Sequence, residues 1–224
     1  MPELDALRAN PWFASLPPAL AEAVLAAGRV QKLSPGEVLF RQGDAPGDWH
    51  AVCHGAIKAS STAADGTESI LAVLEPGNWF GEISLLDGGP RVHDATAVGA
   101  TGVFAVPAAA FARLMQDNAF ATALARLMAG RLRTLFGIVE DATLRPTRAR
   151  LARRLALLAR GDATLAAQPR QQLPVSQEAL AMMLGLTRQT LSKELGELAK
   201  AGALKLGYRS IDILDAALLE RLGE

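Results

Sequence analysis

The chain has 224 residues, half of them apolar, and its 23 basic residues balance 23 acidic ones. This length suits one large or two small domains, and no apolar run approaches the ~18–20 residues that cross a bilayer. The first ten residues are charged and lack the apolar stretch of a secretory signal, and Cys53 is the only cysteine. One thiol excludes intrachain disulfides and a four-cysteine metal or Fe–S site. We therefore expect a cytoplasmic protein with no Fe–S cluster and no membrane contact.

The two parts of the chain differ in charge. Residues 1–145 hold 11 Lys and Arg against 15 Asp and Glu, whereas residues 146–224 hold 12 against 8. The resulting charges of −4 and +4 favour a C-terminal part that approaches a polyanion. A solvated basic face explains the modest excess as well, so charge alone leaves both interpretations open.

The N-terminal part predicts helices followed by a β-rich region. Short helices are expected over residues 4–27, broken at Asn10-Pro11 and at Pro17-Pro18. Short apolar runs then alternate with glycine-centred breaks, such as the break at Gly55, which is typical of an all-β barrel or roll. The predicted strands are 38–40, 49–52, 56–59, 69–74 and 101–106. Asp65-Gly66 favours a tight hairpin.

Helices are predicted again after Pro107, a short one over 108–115 and a long one from Asn118. Apolar residues of the long helix recur every three or four positions over about six turns, with a break at Arg131, until Pro146, which cannot continue a helix. The stripe comprises Leu124, Leu127, Met128, Leu135, Ile138, Val139 and Ala142. Such a stripe needs a partner, which is either the chain's own β region or the same helix of a second copy. We favour the two-helix seam of a homodimer.

The segment after Pro146 predicts a small mixed domain. Thr147 is the expected N-cap of an arginine-rich helix, and residues 161–173 are predicted to form a polar loop. Two alternating runs, 203–206 and 210–214, flank Gly207-Tyr208-Arg209 and predict a compact β-wing.

A helix-turn-helix pattern lies between this loop and the wing. Ser176 is predicted to cap a first helix over 177–184, and Thr187 to cap a second one that ends near Ala201. A turn at Gly185-Leu186 joins them. A helical hairpin with an ordinary polar surface is the alternative, which the order of helix, turn, polar helix and wing disfavours.

The second helix separates into an apolar and a polar side. Leucines at 191, 195 and 198 form one stripe, and the residues that point the other way are Arg188, Gln189, Ser192 and Lys193. Arg188 or Lys193 suits guanine O6 and N7, whereas Gln189 suits adenine N6 and N7. The residues expected near phosphates are Ser176, Thr187, Ser192, Lys205 and Arg209.

Three blocks resemble the Crp/Fnr family of bacterial transcription regulators, and in the same order. Residues 33–44 resemble the family's early roll motif, 75–91 its phosphate-binding cassette and 186–193 its recognition helix. The resemblance spans nearly the whole chain and implies an α+β architecture. Its parts would be an N-terminal cyclic-nucleotide-binding-type β-roll (jelly roll) over 1–117, a dimerisation helix and hinge over 118–145, and a C-terminal winged helix-turn-helix over 146–224.

The same resemblance implies the partners. They are a second copy of the chain and a roughly palindromic double-stranded DNA operator, whose half-sites lie about 34 Å apart. It also allows a contact between RNA polymerase and the loop 161–173. Gln189 stands where well-known members have Glu, and Lys193 where they have Arg. Because glutamate accepts from cytosine and glutamine prefers adenine, we expect a different operator base opposite Gln189.

The resemblance also implies an effector site. In cAMP-binding members, the residues matching Gly81, Glu82 and Arg91 offer backbone N–H groups, a carboxylate for the ribose and a guanidinium for the cyclic phosphate. The candidate effector residues are Gly81, Glu82, Ile83, Ser84, Arg91, Val92, Leu135 and Phe136.

Three of these candidates depart from the cAMP-binding pattern. Val92 replaces the usual Ser or Thr, and an ungapped comparison puts Leu135 and Phe136 at a Thr-Ser pair that contacts adenine. Each lost hydrogen bond to a buried ligand costs ~1–3 kcal/mol. We predict that cAMP is not the effector, which leaves another cyclic nucleotide, another small molecule or no effector.

Other chemistries find less support in the sequence. His50, His54 and His93 are the only histidines, and on one strand His50 and His54 would share a face about 13 Å apart, too far to hold one ion. We therefore predict neither metal nor haem, and we expect Cys53 to fill the core. No catalytic constellation is visible, so an enzyme is not expected. The remaining alternative is a nucleotide-sensing module that regulates a protein partner instead of DNA.

Overall fold

The computed structural model describes residues 2–161, 170–173, 175–207 and 210–224. It forms two compact units, Met1–Ala129 and Gly130–Glu224, each with its own hydrophobic core. The three-part division predicted from the sequence stays a prediction. Within the described ranges, no helix combines the length and the apolar character that a membrane span requires.

A 3-10 turn (Pro2–Leu4) and three short α-helices precede the sheet: α1 (Asp5–Ala9), α2 (Pro11–Ala14) and α3 (Pro18–Ala27). The breaks between them fall at the predicted prolines. The side-chain oxygen of Asn10 accepts hydrogen bonds from the main-chain N–H groups of Trp12 and Phe13, at 3.0 and 3.2 Å, and so caps α2.

The predicted roll is a six-stranded antiparallel sheet. Its strands are β1 (Arg29–Leu33), β2 (Val38–Phe40), β3 (Trp49–Thr62), β4 (Glu68–Leu74), β5 (Trp79–Phe80) and β6 (Asp94–Val106), with the short helix α4 (Ile83–Asp87) between β5 and β6. The long strands β3 and β6 pair with each other, β1 and β2 add to β6, and β4 and β5 add to β3. The hairpin at Asp65-Gly66 joins β3 to β4, as predicted.

The central strand corrects two expectations. Runs 49–52 and 56–59 were expected to be separate strands, but β3 continues through Gly55 because its pairing with β6 shifts register around that glycine. The same irregularity interrupts the alternation of faces between Val52 and His54. Consequently His50 is buried and His54 is exposed, and the two rings do not share a face as expected.

An aromatic cluster forms the core of the N-terminal unit. Trp49 and Trp79 stack with their ring centroids 4.1 Å apart, and Phe111 of α5 (Ala108–Leu114) meets Trp49 edge-on at 5.4 Å. Cys53 is buried in the same core, as expected, and its burial raises the pKa of the thiol to about 11. The thiol is therefore protonated at neutral pH and chemically quiet.

The apolar stripe of α6 (Asn118–Leu144) divides into two parts. Near the beginning of the helix, Phe120 and Leu124 are buried in the core of the N-terminal unit. Towards its end, large apolar side chains are exposed, namely Leu132, Leu135, Phe136, Ile138, Val139 and Leu144. The first turns of the stripe therefore pack on the chain's own N-terminal unit, and the last turns are left exposed for a second copy to cover.

The C-terminal unit is a winged helix. After α7 (Thr147–Ala159) come the strand β7 (Gln172–Leu173), the helices α8 (Gln177–Leu184) and α9 (Arg188–Lys200), the strands β8 (Leu204–Gly207) and β9 (Ser210–Ile213), and α10 (Ala216–Leu222). The small sheet has the order β7-β9-β8. Leu191, Leu195 and Leu198 of α9 lie in one core with Leu151 and Leu155 of α7.

Two expectations in this unit were wrong. Thr147 is not an N-cap but the first helical residue, because the extended backbone of Pro146 (ψ 156°) leads directly into α7. Leu173 is not part of a loop, because it is buried in the core and pairs with Ile211 in β7. Residues 162–169, which include most of the predicted polymerase-contacting loop, lie outside the described residues.

Candidate functional site

The turn between α8 and α9 is built by two caps and one glycine. Ser176 Oγ accepts a hydrogen bond from the N–H of Ala179 at 3.1 Å, and Thr187 Oγ1 accepts one from the N–H of Thr190 at 3.2 Å. Both predicted N-caps are thus present. Gly185 ends α8 with a φ of +63°, a left-handed conformation that residues with a Cβ rarely adopt. These three residues fix where α9 begins.

The helix α9 has the two sides that the sequence predicts. Its leucines 191, 195 and 198 are 0% exposed. Its exposed residues include the four predicted base and phosphate contacts, Arg188, Gln189, Ser192 and Lys193. Among the described residues, the side chains of Arg188, Gln189 and Ser192 make no hydrogen bond, so their donors and acceptors face solvent. This exposed group is called the reading face below.

Two carboxylates on α9 are paired with cations of the same unit. Glu194 accepts from Arg148 Nε at 2.8 Å, and Glu197 lies 3.8 Å from Arg148 and 2.9 Å from Lys200 Nζ. The hydrogen bond from Lys200 is the main cause that lowers the pKa of Glu197. This pairing offsets negative charge that would otherwise repel a phosphate backbone.

Several arginines in and directly after α7 bind acceptors within the same unit and do not form an open basic surface. Arg150 donates to the main-chain carbonyl of Leu184 at 2.9 Å, at the C-terminal end of α8, where a cation is favourable. Arg160, the residue that directly follows α7, pairs with Glu220 of α10. These roles could not be predicted from the sequence, because a charge count does not show which arginines have an intramolecular acceptor.

The wing is described in part. Lys205 is exposed on β8 and is the register partner of Asp212 of β9; the carboxylate of Asp212 accepts a hydrogen bond from Gln172 at 2.8 Å. Arg209 lies outside the described residues, so its predicted phosphate contact remains a prediction.

The candidate effector site surrounds the buried side chain of Arg91. Its Nη1 donates to the main-chain carbonyl of Gly81 at 2.7 Å and to Ser84 Oγ at 3.1 Å, and its Nη2 donates to the carbonyl of Asp48 at 2.7 Å. The guanidinium carbon lies 4.3 Å from the ring centre of Phe40. The group that would bind a phosphate therefore already donates to three protein oxygens.

Burial and local charge act on Arg91 in opposite directions. Burial lowers its pKa, and the carboxylates of Asp48, Glu82 and Asp44 counteract that effect. Glu82 is itself 2% exposed. Gly81 has a φ of +88°, and a Cβ there would lie 2.8 Å from Arg91 Nη1, so the approach of the arginine to this turn requires glycine.

The other predicted effector residues are more exposed. Ile83, within the cassette, is 36% exposed, and Val92, which follows the cassette directly in sequence, is 47% exposed. Leu135 and Phe136 belong to the C-terminal unit and are 56% and 66% exposed. None of these four side chains offers a hydrogen bond to a ligand.

His50 is a neighbour of the cassette that no motif of the sequence indicates. The residue pairs with Phe80 across β3 and β5, and the two rings stack with centroids 5.4 Å apart. Its Nδ1 is buried without a hydrogen-bond partner among the described residues, 3.6 Å from where a Cβ of Gly81 would lie. Burial, with the charges of Arg91 and Arg29, lowers its pKa to about 3. The ring is therefore neutral at physiological pH.

No group of three or more His, Cys, Asp or Glu side chains that could hold a metal ion occurs in the part of the chain that the structure describes. His50 and His93 both lie beside Phe40, with ring centroids 5.9 and 5.8 Å from it. Burial lowers the pKa of His93 as well.

Comparison with known proteins agrees with both halves of this description. A family described as a cyclic nucleotide-binding domain matches residues 30–118, and one described as a Crp-like helix-turn-helix domain matches residues 149–222. The chain is 31% identical over 218 residues to the cyclic AMP receptor protein of Thermus thermophilus, which covers 96% of this chain and 98% of that protein. It is 30% identical over 189 residues to a CRP-like cAMP-activated global transcriptional regulator of Mycobacterium tuberculosis, with 83% and 84% covered. The crystal structure of a CRP-family transcriptional regulator from Thermus thermophilus matches with a TM-score of 0.67 and 27% identity, over 86% of this chain and 96% of that one.

Proposed function

Because this chain belongs to the Crp/Fnr family of DNA-binding transcription regulators, we propose that it works as a homodimer on a palindromic operator. Each copy inserts the reading face of α9 into a major groove. The observation that carries this proposal is the combination of three fully buried leucines on one side of α9 with exposed donors on the other. A regulator of this kind acts on chromosomal DNA, which places its work in the cytoplasm.

The exposed end of α6 supports the dimer. Leu132, Leu135, Val139 and Ala142 follow one another at spacings of three, four and three residues, the pattern of a two-stranded coiled coil. The first three of these side chains are 53–56% exposed, which is unfavourable for a free helix in water. A second copy of the same helix would cover them.

The dimer is tested by sedimentation equilibrium of two matched variants. Val139→Asp places a charge in the seam and should give a monomer. Arg133→Asp places the same charge at an exposed position one residue after Leu132, away from the seam, and should stay dimeric. A monomeric wild type, or equal behaviour of the two variants, would contradict the seam.

On DNA, we assign base contacts to Arg188, Gln189 and Lys193. Arginine and lysine present donors to guanine, and glutamine can both donate to and accept from adenine. Ser176, Thr187, Ser192, Lys205 and Arg209 are assigned to phosphates. The two caps support this role, because the hydroxyl that accepts from a helix N–H can still donate its own proton to a phosphate oxygen.

The DNA proposal is tested by measuring duplex affinity across a salt series. Arg188→Ala should lower the preference for an operator selected by the wild type, relative to a random duplex, by ~1–3 kcal/mol. Lys200→Ala is the matched control, because Lys200 lies on the same helix and is paired with Glu197 in its last turn. Operator binding that is equal in the wild type, Arg188→Ala and Lys200→Ala would refute insertion of the reading face.

For the effector, we propose that cAMP does not control this protein. Val92, Leu135 and Phe136 lack the hydroxyl groups expected at their positions, and Arg91 must give up protein acceptors to bind a phosphate. Losing about three hydrogen bonds at ~1–3 kcal/mol each weakens binding by several orders of magnitude. The roll would then respond to a different small molecule or serve as a structural domain.

Calorimetry with cAMP and with cGMP tests this proposal. The wild type should show no saturable heat at micromolar ligand. A variant that combines Val92→Ser, Leu135→Thr and Phe136→Ser restores the three hydroxyls and should bind cAMP more tightly than the wild type. Micromolar binding by the wild type would contradict the proposal.

A further inference from the structure

Asp141 lies in the last turn of α6, and its carboxylate, 15% exposed, connects two arginines. Arg145, which follows the end of α6, has its Nε 3.1 Å from Asp141 Oδ1. Arg153, in the second turn of α7, has its Nε 2.6 Å from Oδ1 and 2.8 Å from Oδ2. One carboxylate thus ties the end of the seam helix to the first helix of the DNA-binding domain, across Pro146.

The C-terminal end of the chain packs on the same cluster. Arg145 Nη1 donates to the main-chain carbonyl of Glu224. Gly223 is buried, and a Cβ there would lie 2.6 Å from Cγ of Arg153. The stem of Arg153 is therefore held on one side by the turn after α10 while its guanidinium is held by Asp141. We call Asp141, Arg145 and Arg153 the junction cluster.

The junction cluster is connected to α9 through α7. Leu151 and Leu155 of α7 are 0% exposed and share one core with the buried leucines of α9. Glu194 of α9 is also paired with Arg148 of α7. Because α7 and α9 are packed as one body, a contact that fixes α7 against the end of α6 also fixes the reading face.

A small rotation of α7 at this junction would displace the far end of the helix by a distance that matters on DNA. The 13 residues of α7 span about 20 Å at a rise of ~1.5 Å per residue. Turning the helix by about 10° around its first residue moves its far end by ~3.5 Å, which is about the axial length of one base pair. In a dimer, this movement changes the separation of the two reading faces.

We propose that Asp141 is a positioning residue that sets the half-site spacing selected by the dimer. This inference rests on the proposed function, since spacing has meaning only for two copies on one operator. An isolated surface ion pair contributes little. Asp141 differs because its side chain is only 15% exposed, binds two arginines at once and lies three residues before the end of α6.

The test uses full-length protein and duplexes selected by the wild type from a random library, so that half-site and spacing are known. Affinities are measured for the selected spacing, for spacings changed by one and two base pairs, and for a single half-site. The variants are Asp141→Asn, which keeps the shape and removes the charge, and Arg153→Gln, which removes the contact to α7. Glu220→Gln is the matched control, because it removes an ion pair from the end of the same α7 without touching the junction cluster.

We expect Asp141→Asn and Arg153→Gln to bind the selected spacing about tenfold more weakly, because the two reading faces are no longer preorganised. They should bind a single half-site within about twofold of the wild type, so their preference over shifted spacings becomes smaller. Glu220→Gln should keep the wild-type spacing profile.

Two results would overturn the positioning role. One is an unchanged spacing profile in Asp141→Asn, and the other is an equal loss on all duplexes, including the single half-site. A wild type that selects no paired half-sites would instead refute the proposed dimer on a palindrome, so the two failures are distinguishable.

Discussion

Replacing His50 should make the stability of the N-terminal unit less dependent on pH. His50 is 5% exposed, and its pKa is lowered to about 3 in the folded protein. In the unfolded chain the pKa returns to ~6.5, so between these values the unfolded state binds more protons than the folded one. The contribution of the neutral ring to the free energy of unfolding is therefore fully present above pH ~6.5 and is lost as the pH falls towards 3.

The size of the effect follows from the same two pKa values. A difference of one pKa unit corresponds to ~1.36 kcal/mol, and between pH 7 and pH 5 the shift of His50 removes about 2 kcal/mol from the free energy of unfolding. His50→Phe has no titrating group and can stack on Phe80 as the imidazole does. The variant should lose about 2 kcal/mol less than the wild type over this interval.

Urea unfolding followed by tryptophan fluorescence measures this difference. All three tryptophans, Trp12, Trp49 and Trp79, belong to the N-terminal unit, so the signal reports on the unit that contains His50. His54→Phe is the control, because His54 lies on the same strand but is exposed. Equal pH dependence of the wild type and His50→Phe would refute the burial argument, and so would an effect of similar size in His54→Phe.

Three further substitutions test the packing of the two sites. Leu195→Ala removes a fully buried side chain beneath the reading face and should destabilise the C-terminal unit by ~2–5 kcal/mol in hydrogen exchange, whereas Lys200→Ala should not. Thr187→Ala removes the cap of α9 and should cost ~1 kcal/mol of protection at the first turn of that helix; unchanged exchange at Thr190 would contradict the cap. Gly81→Ala forces a left-handed alanine against Arg91 and should cost at least ~1 kcal/mol by urea unfolding, and a neutral result would show that the turn can relax.

The spacing of apolar residues and the positions of prolines and glycines predicted most of the architecture. The prolines at 11, 18 and 146 separate helices at the predicted places, and the leucine spacing in α9 identified its buried side. These signals are local, because a helix or turn is decided by residues a few positions apart. The reading face could therefore be predicted residue by residue.

Features that depend on distant pairing were not predictable in this way. The continuity of β3 through Gly55 depends on its register with β6, and the strand β7 exists because Leu173 reaches Ile211. The inward turn of Arg91 depends on the carbonyl of Asp48, 43 residues away. The junction cluster was equally hidden, because the pairing of Asp141 with Arg153 is a matter of tertiary geometry.

The most direct test of the central claim is the base preference of a Gln189→Glu variant, determined by selection from a random duplex library beside the wild type. Gln189 is exposed in the first turn of α9, where a recognition helix meets base edges. Glutamate accepts from cytosine whereas glutamine pairs with adenine, so the preferred base should change at one symmetry-related position in each half-site and nowhere else. An unchanged operator, or a uniform loss of binding without a new preference, would contradict the claim that α9 reads DNA through this face.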